Sequence, residues 1–148
     1  MSITAYVTPA DLLDEFGERE LVDLTDIDTP RSGQVVQAVA QRACDRANAE
    51  VEMSVSARYA VPLGSVPAPL KYIARDMAHF YLYQTSVPTW VKDRHDAALA
   101  NLRAVRDGKL PLGPDVAGLL VPAAVSDLPE FSSGAKVWSR DAATGGAT

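Results

Sequence analysis

An all-α fold is what this sequence predicts: a small bundle of two or three long helices, with short helices before it and an extended, largely irregular C-terminal arm after it. Three observations lead there. Residues 34–56, 70–85 and 90–107 each carry apolar residues at helical spacing. Proline and glycine punctuate the boundaries between them, at Pro30, Gly33, Pro62, Gly64, Pro67, Pro88 and Gly108. Beyond Lys109 the helical period stops. Residues 1–109 therefore read as one helical domain and residues 110–148 as the arm.

Thr8-Pro9-Ala10-Asp11 opens the first helix. Thr8 is a capping residue, Pro9 suits the first helical position and Asp11 faces the positive end of the helix dipole. Leu12, Leu13 and Phe16 supply an apolar face, and Gly17 is the stop. Residues 18–24 form a second short helical turn that must dock on something, since so short a helix is marginal alone. Residues 26–32 read as a loop.

The long helix 34–56 follows. Val36, Val39, Ala40, Ala43, Ala47 and Val51 share one side, with Arg42, Asp45, Arg46 and Glu52 opposite. Its alanines allow a neighbouring helix to come close, and Cys44 reads as a small core residue. The segment ends at Arg58 and Tyr59. After the proline corner, Leu70, Ile73, Ala74, Met77, Phe80 and Tyr81 mark the next helix, which runs to about Thr85. Thr89 caps the last one, whose stripe is Val91, Ala98, Leu102 and Val105. Arg94, Asn101, Arg103 and Arg106 face outward, and Gly108 ends the helix. The arm is broken repeatedly by proline and glycine but carries Leu119, Leu120, Val121, Phe131, Val137 and Trp138. It is too apolar for ordinary disorder. Those groups bury either on their own subunit or on a partner.

Charge is unevenly spread. Residues 1–30 hold eight acids against one base, whereas residues 31–109 hold eleven bases against seven acids. The whole chain is acidic, at −5, which disfavours tight nucleic-acid binding driven by phosphate neutralisation. One cysteine excludes an intrachain disulfide and a cysteine-rich metal site. No signal peptide is expected, and no apolar run approaches the length of a membrane span.

Catalytic hardware is missing from the sequence. There is no GxSxG elbow and no glycine-rich phosphate loop. Asp14–Glu15 and Glu50/Glu52 are too close in sequence to face each other on a helix. His79 and His95 fall in consecutive helices, with Asp76 and Asp96 beside them, but a metal would need a third ligand and a supporting shell. Both histidines are expected at the surface or flanking helices, and neither a metal nor a cofactor is expected. Trp90 reads as a packing residue, while Trp138 is suited to anchor an interface.

Taken in order, several pieces of the chain resemble the head–tail adaptor (neck connector) family of Mu-like tailed bacteriophages and prophages. They are YVTPADLLDEFGERE at residues 6–20; Leu24, Thr25 and Asp26; Val35 and Val36; Arg58 and Tyr59 with Pro62 and Leu63; and Val66, Pro67 and Leu70. The match continues with Ile73 through Ala78, then Asp107, Gly108 and Lys109, and finally Val137, Trp138, Ser139, Arg140 and Asp141. Residues 110–133 carry no clear part of it.

The resemblance implies a small non-enzymatic α-helical subunit of the virion neck, made in the bacterial cytoplasm. Its copies form a ring, commonly dodecameric, under the portal protein. A head-closure or tail-completion protein docks on the ring, and DNA passes through its centre without sequence-specific binding. No membrane is involved. On this reading Phe131, Val137, Trp138 and Arg140 meet the portal or a neighbouring subunit. Asp11, Asp14 and Glu15 would pair across subunits with Arg42 and Arg46, so assembly should weaken as salt rises. Other readings stay open: a head-closure or tail-terminator subunit, a small helical cellular regulator that binds protein or DNA, and an enzyme using His79 or His95.

Overall fold

The computed structural model describes residues 4–113. Five helices form its framework: α1 (Pro9–Phe16), α2 (Glu18–Thr25), α3 (Gln37–Ser56), α4 (Ala68–Leu82) and α5 (Thr89–Arg106). The all-α expectation holds for these residues. Phe131, Val137, Trp138 and Arg140, with nearly all of the arm, lie outside the described residues.

Helix α1 begins as its sequence dictates. Thr8 and Asp11 form a reciprocal capping box. The Asp11 carboxylate accepts from the Thr8 backbone N–H at 2.8 Å, and the Thr8 hydroxyl oxygen accepts from the Asp11 N–H at 3.4 Å. Gly17 ends the helix at φ +83°, a conformation that a residue with a Cβ resists. It also starts α2, so the two short helices meet at one glycine.

Helices α3, α4 and α5 run up, down and up, with α4 in contact with both others. Side chains couple the neighbouring helices. Arg46 lies over the Tyr81 ring, Asp76 pairs with Arg94, and Phe80 stacks on His95. The α1–α2 pair lies along α4 in the same direction, as shown by Glu15–Arg75 and Glu20–His79. Leu12, Leu21, Val51, Val55, Leu70, Met77, Leu82, Leu102 and Val105 fill the interior. A fully buried side chain of this kind contributes about 1.5–3 kcal/mol. Ala40, Ala43, Cys44 and Ala47 line the buried side of α3.

Several boundaries differ from the sequence reading. Helix α3 starts at Gln37 rather than at residue 34: Val36 is still extended, at φ −80° and ψ 97°, and its N–H donates to the Thr25 hydroxyl at 3.0 Å. That bond holds the chain extended up to the first turn. Helix α4 spans Ala68–Leu82, not residues 70–85: Pro69 fits its first turn, and Tyr83 turns extended at ψ 121°. Thr89 does not cap α5; Pro88 holds that position, and no side chain bonds there. The histidines are corrected as well. His79 is 1% and His95 8% exposed, so both belong to the interior.

Candidate assembly surface

The ionisable groups nearest the core hold helices together. His79 stacks on Phe16 from α1 with ring centroids 3.8 Å apart, and its Nε2 lies 2.7 Å from the Glu20 carboxylate on α2. Tyr83 donates to the same carboxylate oxygen at 3.3 Å, and Trp90 sits 5.6 Å from the imidazole. Burial pushes the His79 pKa down, partly opposed by Glu20. A neutral ring donating through Nε2–H fits this setting. One imidazole thus ties α1, α2 and α4 to one another, which is a structural use of histidine.

His95 sits on the other side of α4, stacked on Phe80 at 3.9 Å. Its Nδ1 is 3.7 Å from Asp96, too far for a hydrogen bond, and its buried Nε2 has no partner among the described residues. Asp76 is occupied by Arg94 at 2.6 Å. Burial nonetheless raises the Asp76 pKa, with Arg94 opposing. Among the described residues no three His, Cys, Asp or Glu side chains come together as a metal would require.

Nearby, Tyr81 donates to Glu50 on α3 while Arg46 covers its ring at 4.1 Å. Burial and Glu50 together push the tyrosine pKa up. Cys44 is fully buried, and desolvation lifts its thiol to about 12, so it carries no reactive thiolate at neutral pH.

The residues expected to make charge contacts divide into two groups. Asp11 and Asp14 share a cleft of about 260 Å³ with Tyr6, Lys71, Tyr72 and Arg75. Glu15 is bound to Arg75 at 2.7 Å, within the same subunit. Arg42 and Arg46 border a separate hollow with Val39, Tyr81 and Gln84. The structure does not bring the two groups together within one chain. Asp11 serves the α1 cap, and Arg46 is held over Tyr81.

Sequence reasoning missed Asn48. Its Oδ1 accepts from the Tyr6 and Val7 backbone N–H groups at 3.0 and 2.9 Å, and its Nδ2 donates to the Val7 carbonyl at 3.0 Å. One buried side chain therefore seats the extended segment that delivers α1. The available signal was its spacing, four residues after Cys44 and three before Val51, on the buried stripe of α3. Large apolar side chains also remain exposed. Met53 is 69%, Tyr72 58% and Trp90 49% exposed, with Ile27 and Leu110 also open. Trp90, read from sequence as a packing residue, presents about half of its surface outward.

Similarity to known proteins covers most of the chain. The family model described as "Bacteriophage Mu, Gp36" matches residues 6–127. "Gene product J" of Escherichia phage Mu is 31% identical over 135 residues, which is 91% of this chain and 94% of that protein. Among the described residues no helix is long and apolar enough to cross a membrane.

Proposed function

We propose a structural role in the virion for this chain, which belongs to the bacteriophage Mu Gp36 family. The protein is a head–tail adaptor. Its copies form a ring under the portal, dodecameric to match it, in the neck between the DNA-filled capsid and the tail. Head-closure or tail-completion proteins dock below the ring, and DNA passes through its centre without being read. The subunit is not an enzyme. Phe131, Val137, Trp138 and Arg140 engage the portal or the adjacent subunit, and ordering such an arm costs roughly 2–5 kcal/mol, which suits a contact made only when the partner is present.

The observation that supports this reading most is where the ionisable side chains are used. His79, Glu20, Asp76, Arg94, Glu15 and Arg75 all bind one helix to another. The exposed aromatic groups Tyr72 and Trp90 lie instead on the outside, as an assembly subunit requires. Family membership supplies the phage setting.

Removal of the gene from a producing prophage tests the role. DNA-packaged heads and separate tails that fail to join, rescued by the gene supplied in trans, are expected. Normal joined particles without the protein would refute it.

A further inference from the structure

Along their seam, α4 and α5 leave an open hollow of about 360 Å³. Tyr72, Ile73 and Asp76 line it from α4, and Arg94, Ala97 and Ala98 from α5. Steps of one, three and four residues keep each set on one side of its helix, so the hollow is a groove that follows both helices. Ile73 and Ala98 are buried and give it an apolar base, with the exposed Tyr72 and Ala97 beside them. Its charged lining groups, Asp76 and Arg94, already pair with each other at 2.6 Å.

The described chain ends beside this groove. Gly108 turns at φ +74°, and the N–H groups of Lys109 and Leu110 both donate to the Ala104 carbonyl, at 2.8 and 3.1 Å. The turn sets Leu110 into the lining of the groove, near Pro69 at the start of α4, where it remains 37% exposed. Leu112 is then buried, and its N–H donates to the Tyr59 hydroxyl at 3.4 Å. The start of the arm is thus held within a few residues of the groove.

Residues 116–126 follow as a run without a charge, between Asp115 and Asp127, and Val116, Leu119, Leu120 and Val121 stand ahead of Pro122. An extended chain advances about 3.3–3.6 Å per residue, so Leu119 and Leu120 lie within about 20–25 Å of Gly113. Other hollows suit this run less. The one beside α1 holds Asp11, Asp14, Lys71 and Arg75, and an uncharged segment there would strip water from charges it cannot pair. The one lined by Leu24 and Ile27 lies at the far end of α4, a helix about 22 Å long.

We propose that residues 116–121 of the arm lie in the α4–α5 groove of their own subunit, with Leu119 and Leu120 covering Ile73 and Ala98 and packing on Tyr72 and Leu110. The short tether from Leu112 makes the contact intramolecular, at high effective concentration. The arm of a second copy would also have to meet the cost of association. The exposed Tyr72 and Leu110 then lose their contact with water, which favours the docked arrangement. This goes beyond the adaptor role and does not rest on it. For an adaptor, it fixes where the arm leaves the subunit. Residues 122–148, with Phe131, Val137, Trp138 and Arg140, remain to reach a partner.

Hydroxyl-radical labelling of the full-length protein, read by mass spectrometry without any portal present, tests the contact. Met53, exposed on α3, serves as the dose reference. At equal Met53 labelling, Tyr72 and Leu110 of the wild type should be labelled several-fold more slowly than in a Leu119→Asp/Leu120→Asp variant. A groove variant at an exposed position, Ala97→Glu, should raise the labelling of Tyr72, Leu119 and Leu120. Trp138→Ala should label as the wild type does. Wild-type helix content is checked for each.

Equal labelling of Tyr72 in the wild type and the double variant, no change in Ala97→Glu, or exposure of Tyr72 by Trp138→Ala would overturn the proposal. An isotope-labelled double variant, unfolded and refolded with excess wild type, should keep its Tyr72 as exposed as when alone. Recovered protection would mean that arms cross between copies, and would overturn it too. Because no portal takes part, failure of the adaptor role leaves each of these outcomes unchanged.

Discussion

Replacement of Asn48 by alanine should loosen the whole N-terminal side of the subunit. The side chain makes three hydrogen bonds to the backbone of Tyr6 and Val7, all buried. A typical buried hydrogen bond contributes about 1 kcal/mol net, and leaving its backbone partner unsatisfied costs about 1–3 kcal/mol. The segment cannot escape the penalty by lifting into water. Tyr6 and Val7 are 2% and 1% exposed, and releasing them would forfeit about 1.5–3 kcal/mol each. A loss of about 3 kcal/mol follows, or a fall in Tm of roughly 10–15 °C for a domain of this size.

Denaturant unfolding measures the loss, and hydrogen exchange at the Tyr6 and Val7 amides locates it. Asn48→Asp should be intermediate, since it keeps the acceptor for two N–H groups but sets a carboxylate against the Val7 carbonyl. Gln41→Ala, on the exposed side of the same helix, should stay within about 0.5 kcal/mol. An Asn48→Ala protein within that same range, with both amides still protected, would refute the reasoning.

Other outcomes follow from the same structure. Because burial lowers the His79 pKa, the unfolded chain takes up a proton before the folded one does. Stability from this group is therefore present above the ordinary histidine range and falls as pH drops from about 6.5 toward the folded pKa. His79→Gln should flatten that part of a stability–pH curve measured by denaturant titration. Cys44 should resist a thiol reagent at pH 7 in the native protein and react in step with unfolding, which absorbance of the released chromophore follows. Gly108→Ala should cost about 1 kcal/mol in a thermal melt, because φ is +74° there and the Arg58 side chain must also move aside. Glu15→Gln, removing a half-exposed partner of Arg75, should cost under about 1 kcal/mol.

The helices were legible because their signals are local. Thr8, Pro9, Asp11 and Gly17 determine α1 within ten residues, and the 3.6 period of α3 to α5 needs no knowledge of neighbours. What escaped was decided by distant partners. The late start of α3 depends on a hydroxyl from Thr25 in α2, which no reading of residues 34–40 contains. His79 is buried because Glu20 and Phe16, about sixty residues earlier, supply a carboxylate and a stacking ring. Asn48 stood at a core position in plain view, but its partners in the extended segment before α1 have no periodic signature. For the assembly surface, the charge asymmetry was visible in the sequence. Which of those charges are already used inside the subunit, as Glu15 is by Arg75, depends on α1 lying along α4.

The adaptor role is tested most directly by native mass spectrometry of this protein mixed with its cognate portal ring, using the full-length chain and a form truncated after Gly113. One copy per portal subunit is expected for the full-length chain and none for the truncated form, with recognition in residues 114–148. Binding by neither form would contradict the adaptor role.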